Sequence, residues 1–171
     1  MSVTLGKRAF EAASKYMLKE FSASYNFLAM SCTFRDMGLV NCANWSLNES
    51  ELNRQRAMNI FHHLESRGIR FKLSPLSVSR QDWRAPLHIF EEVYRQEQEL
   101  SVLVSVIYES AIADKDYIMQ QFVMKLFEIH RESELRSLNL LNKFRKMQSS
   151  DIGVFEFDNE LKFIPENNLN L

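Results

Sequence analysis

KLSPLSVSRQDWRAP, residues 72–86, separates two helical halves of the chain and so sets its topology. The chain holds only 4 Gly and 3 Pro, and two of the prolines, Pro75 and Pro86, sit here and interrupt a pattern that is helical on both sides. Upstream, apolar residues recur at helical spacing over about 8–36: Met17, Phe21, Phe27, Leu28 and Phe34 share one face with Ser24 and Ser31. Gly38 stops that helix, and a second runs over about 42–67 through Trp45, Leu52, Ala57, Ile60, Phe61 and Leu64 to Gly68. Downstream, a third helix spans about 86–113, with Phe90, Val93, Tyr94, Val104, Ile107, Tyr108 and Ala111 facing inward. Asp116 is the expected N-cap of a fourth, which continues to about 146 through Phe122, Val123, Leu126, Ile129, Leu140, Leu141 and Phe144. A short amphipathic segment at about 154–163 predicts a fifth.

Four long amphipathic helices with one long central connection predict an all-α bundle in which the second and third helices run parallel. About ten to seventeen extended residues reach the roughly 40 Å of such a helix. A single long crossover is the topology of the ferritin-like four-helix bundle. The 171 residues make one domain, 1–171, with a bundle at about 8–146 and the C-terminal helix after it. Hydrophobic residues form 46% and charged residues 25% of the chain, a soluble globular composition. A formal charge of −1 leaves no electrostatic footprint for nucleic acid. No run approaches the ~20 apolar residues of a membrane span, and the N-terminus lacks a signal-peptide core, so no membrane partner is expected. Cys32 and Cys42 carry no metal-ligand spacing, and the expectation is a cytoplasmic protein with free thiols.

Each apolar stripe carries polar residues that packing does not ask for: Glu20, Asn53 with Arg56, Glu97, and His130 with Ser133. A buried carboxylate costs several kcal/mol unless a cation or hydrogen-bond donors answer it. Di-iron carboxylate bundles use one Glu from each of two helices and Glu-x-x-His from each of the other two, a template that belongs to that class of protein. Laid over this chain, it finds both single Glu positions present as Glu20 and Glu97. The two Glu-x-x-His positions hold Asn53-x-x-Arg56 and His130-x-x-Ser133. A guanidinium pairs with carboxylates and cannot ligate a cation, so Arg56 is expected between Glu20 and Glu97 in place of a metal. The competing reading is a remnant metal site of Glu20, Glu97 and His130.

Over nearly its whole length the chain resembles the bacterial non-haem ferritins. The resemblance rests on KEFSASYNFLAMS (19–31), NIFHHLESRG (59–68), VYRQEQEL (93–100), DKDYIMQQFV (114–123) and GVFEFDNELKFI (153–164), in that order and spacing. It implies a homo-oligomeric cage of twenty-four subunits that stores iron as a ferric mineral, with the fifth helix near the four-fold axes. It also implies that the family's oxidation site is kept at Glu20 and Glu97 and replaced at Asn53, Arg56 and Ser133. A glutamine ligand position falls at His130, and a tyrosine near the site has become Phe27. Leu52 and Ile129 stand where the family's inner iron site has acids, while Glu132 remains. The light-chain type of animal ferritin, where ion pairs replace the oxidation site, is the nearest parallel. Bacterioferritin places its haem-ligating Met where this chain has Arg54, so no haem is expected. The miniature DNA-protecting cages need helix-one histidines, and the first helix has none.

Glu49, Glu51 and Glu132 are candidates for mineral nucleation on a cavity face, against the plainer reading of a solvated helix face. His62 and His63, adjacent and so divergent on a helix, read as surface residues. Asp114 and Asp116 lie near the expected three-fold axis. Three functions compete: a storage cage with weak or absent ferroxidase activity, an active ferroxidase built on a rearranged Glu20, Glu97 and His130 site, and an auxiliary shell subunit that co-assembles with an active ferritin.

Overall fold

Helix ends set the architecture, and a computed structural model describing residues 6–70, 72–77 and 81–162 shows how. The elements are α1 (Lys7–Asp36), α2 (Val40–Ser66), α3 (Pro86–Ala113), α4 (Tyr117–Met147) and α5 (Asp151–Leu161). The expected spans agree closely; α5 begins earlier than expected and ends at Leu161, and the expected end at 163 lies outside the described residues, as do the extremes of the 1–171 domain.

α1 closes with Gly38 N–H on the Arg35 carbonyl and Leu39 N–H on the Phe34 carbonyl, the paired bonds of a Schellman motif. That motif puts Gly38 at φ +77° and, in the equivalent place after α2, Gly68 at φ +72°, where a side chain is strained. α3 ends the same way without a glycine: Lys115 takes φ 54°, its N–H reaching Ile112 and that of Asp116 reaching Ala111. The restart after the crossover is at Pro86, whose fixed φ and missing N–H suit a first helical turn.

Side-chain pairings establish the directions. Asn26 meets Gln96 and Phe34 meets Phe90, so α1 and α3 are antiparallel. Ser24 meets Ser50 across the α1–α2 hairpin, while Arg56 meets Ser133 and Arg67 meets Asp116 between α2 and α4. α2 and α3 are therefore parallel, as the long crossover requires. Two apolar clusters fill the bundle. One gathers Tyr16, Met17, Ile60, Leu64, Val104, Ile107 and Val123; the other gathers Phe27, Phe34, Trp45, Phe90, Phe144 and Phe157. Phe21, Phe61, Tyr94, Tyr108 and Phe122 pack only at the margins. Leu28, expected inside, is 44% exposed: it lies one position past Phe27, at the edge of the apolar stripe. Among the described residues no helix is long and apolar enough to cross a membrane.

Candidate metal centre

Between the two clusters lies a polar layer to which all four long helices contribute. Glu20 comes from α1, Asn53 and Arg56 from α2, Glu97 from α3, and His130 and Ser133 from α4, and all six are buried. Periodicity alone brings Asn53 and Arg56, or His130 and Ser133, onto one face of a helix; bundle packing brings the four helices' sets together.

The partners inside the layer differ from the sequence expectation. His130, not Arg56, stands between the two carboxylates: Nε2 lies 3.1 Å from Glu20 Oε1, and Nδ1 lies 3.8 Å from Glu97 Oε2. Arg56 Nη2 donates to Ser133 Oγ at 2.8 Å, and Nη1 stands 4.0 Å from Glu97 Oε2, beyond hydrogen-bond reach but well within Coulombic range. Extending from α2, the guanidinium reaches α4 before it can bridge α1 and α3. Asn53 donates to the Glu49 carbonyl of its own helix at 2.7 Å.

One member of the layer is missing from the set that sequence reasoning picks out. The Tyr16 hydroxyl, fully buried, donates to Glu20 Oε1 at 2.7 Å, and its oxygen lies 2.8 Å from His130 Nε2. Its ring meets the imidazole edge-on, with centroids 5.5 Å apart. A signal for it does exist: Tyr16 precedes Glu20 by four residues, one helical turn along the same face.

The charges answer each other. Burial alone would lower the pKa of His130, but Glu20 and Glu97 outweigh it and raise it above the usual histidine range. Burial likewise opposes ionisation of Glu97, yet His130 and Arg56 hold its pKa below the usual carboxylate range. Arg56 follows the same logic, with Glu20 and Glu97 overcoming burial to raise its pKa. With His130 protonated, two cations face two carboxylates, one more cation than the residue types alone implied. The Tyr16 hydroxyl is pushed well up, by burial and then by Glu20, and stays protonated.

Glu49 belongs to the rim of this layer and not to an open helix face: it is 8% exposed, with Arg136 Nη2 3.8 Å away. Its pKa is raised by burial against the pull of Arg136 and Arg56. Arg136 also reaches Ser133 Oγ at 3.4 Å, linking rim to layer. Glu51 and Glu132 are exposed, the former held by Arg54 at 2.9 and 2.7 Å. Leu52 is half-buried, Ile129 joins the first apolar cluster, and Phe27 packs edge-on to Trp45 in the second. His63 is no free surface residue: it is half-buried and stacks on Phe122 at 4.1 Å, while His62 is exposed. Both acids near the expected three-fold axis serve helix ends. Asp114 Oδ2 accepts from Ala9 N–H at 3.0 Å, while buried Asp116 caps α4 at Met119 and binds Arg67 at 2.7 Å.

The layer thus brings together two carboxylates, an imidazole and a serine hydroxyl, with a guanidinium beside them. Among the described residues no group of three or more His, Cys, Asp or Glu side chains is arranged to hold a metal ion.

A bundle with one long crossover, a short fifth helix and carboxylates meeting in a central layer defines the ferritin-like class. This chain belongs to the ferritin family: residues 11–147 match the ferritin-like domain. It is 26% identical over 157 residues to a bacterial non-haem ferritin of Bacteroides fragilis, covering 92% of this chain and 98% of that one. A ferritin of Pacifastacus leniusculus is 25% identical over 167 residues, covering 91% of this chain and 89% of its own. The fold matches an open-pore ferritin from the archaeon Archaeoglobus fulgidus with a TM-score of 0.91 at 25% identity, over 96% of this chain and 100% of the other.

Proposed function

We propose that this chain is a subunit of a cytoplasmic iron-storage cage of twenty-four copies, in which a charge-closed side-chain network replaces the internal oxidation centre. Membership of the ferritin family supports the storage role. The observation that carries the second half is the position of His130, seated between Glu20 and Glu97 with Arg56 beside it. Iron is here cargo, oxidised in solution, on the growing mineral or by a partner subunit. Glu51 and Glu132, the exposed members of the nucleation set, are the acids of this group that can meet it.

The test is oxidation of about two Fe(II) per subunit, the load of a di-iron bundle, by the purified iron-free assembly in air. The expected rate equals that of a protein-free control and does not change in Glu20→Ala/Glu97→Ala. The variant Asn53→Glu/Arg56→His/Ser133→Glu is expected to gain a fast phase. A fast phase in the parent that disappears with the two carboxylates would instead establish the rearranged oxidation centre. A chain that forms cages only with a second, intact-site ferritin would establish the auxiliary subunit.

A further inference from the structure

α1 packs closely against α2 and α3, and α3 against α4, whereas α2 and α4 are joined across a wider seam by long side chains. Arg56 reaches Ser133, Arg67 reaches Asp116, and Arg136 reaches back toward Glu49. The middle of that seam is rich in donors. Ser133 Oγ accepts from two guanidinium groups at once, Arg56 Nη2 at 2.8 Å and Arg136 Nη2 at 3.4 Å. Arg56, 2% exposed, leaves Nε and Nη1 without a hydrogen-bond partner among the described residues. The buried indole N–H of Trp45 lacks one too.

These donors face one point, and Glu49 marks it. Burial raises the pKa of Glu49, while Arg136, Arg56 and the Trp45 N–H all pull it down. The carboxylate fills the point poorly, since Arg136 Nη2 stands 3.8 Å away, too far for a hydrogen bond. A single carboxylate offers two oxygens in one plane, whereas a tetrahedral oxyanion offers acceptors in every direction and takes charge-assisted bonds from guanidinium groups. Solvent reaches the place, because the side chains of Arg136 and Glu49 are 26% and 10% exposed.

We propose that the α2–α4 seam binds a small tetrahedral oxyanion, inorganic phosphate, on Arg136, Ser133 and Trp45 in exchange for the Glu49 carboxylate. Buried Arg56 supplies positive charge behind it. One anion replaces another, so Arg136 is not left unanswered.

The experiment is equilibrium dialysis of the purified, iron-free assembly against labelled inorganic phosphate, with ionic strength held constant by chloride. One saturable site per subunit is expected, with sulfate competing and acetate not. Arg136→Met should weaken binding at least about tenfold, through loss of the charge-assisted bonds. Glu49→Gln, which removes the competing carboxylate, should tighten it by about the same factor. Arg131→Met, an exposed arginine of the same helix, should leave it unchanged. Glycerol phosphate should compete at least about tenfold less well than free phosphate, because its ester arm must enter beside buried Ser133 and Trp45. Circular dichroism and gel filtration should show each variant folded and assembled as the parent. No saturable binding up to on the order of 10 mM phosphate would overturn the site. So would binding that ignores Glu49→Gln, or that Arg131→Met weakens as much as Arg136→Met does. Equal competition by glycerol phosphate would overturn the assignment to the free ion.

Discussion

The central layer and the helix ends both take carboxylates out of water, wholly or in part, and they answer them in different ways. At the ends, Asp114, Asp116 and Asp158 receive backbone N–H groups at 2.8–3.3 Å that would otherwise be unpaired, so each bond satisfies two orphans at once. In the layer, Glu20 and Glu97 are met by Tyr16, His130 and Arg56, side chains that are themselves desolvated. Glu97 Oε2, His130 Nδ1 and Arg56 Nη1 also lack a hydrogen-bond partner among the described residues. Helix-end acids therefore stabilise the fold, whereas the layer holds together at near balance and collapses only if one member leaves.

That difference can be broken experimentally. The largest effect is expected from Arg56→Met, which strands buried carboxylate charge: a loss of about 3–5 kcal/mol in urea unfolding at fixed protein concentration. Adding Glu20→Gln and Glu97→Gln should recover part of that loss; a further drop would show the layer to be net stabilising. Asp116→Ala removes the α4 cap together with the ion pair to Arg67, for about 2 kcal/mol. Smaller is the pH dependence carried by His130. Its folded pKa is raised, so the folded chain binds the proton more tightly than the unfolded one. The advantage of the parent over His130→Gln should be complete below about pH 6.5 and fall as pH rises through the raised folded value. An advantage that grows with pH would mean the ring is held neutral. The smallest change is a gain: Lys115→Gly relieves a left-handed residue and should add up to about 1 kcal/mol, read as a higher urea midpoint.

Much of the bundle is legible in the amino-acid sequence. Gly38, Gly68 and the prolines at 75 and 86 mark boundaries through local backbone physics, which is why the helix limits agree to within a few residues. The polar members of the layer are equally visible, because Glu20, Arg56 and Glu97 interrupt apolar stripes. Their pairing is not. Residue type alone puts Arg56 between the carboxylates, whereas the reach of its long side chain takes it to Ser133 and the shorter imidazole fills the gap. Glu49, four residues from both Trp45 and Asn53, and His63, three after Ile60, lie by spacing on the inward face of α2; their polar residue types are what made them read as surface. One is buried at the rim beside Arg136, the other half-buried against Phe122, partners on a neighbouring helix that spacing does not name.

Spacing along one chain, with the turn chemistry of glycine and proline, is enough to set the helices, their order, the long crossover and the residues facing the bundle axis. Who meets whom across helices is settled by packing: Tyr16 with Glu20 and His130, Arg56 with Ser133, Asp158 with the start of α2. Such contacts depend on side-chain reach and interhelical register, to within an ångström. Periodicity reports a face, and a face does not name the atom opposite.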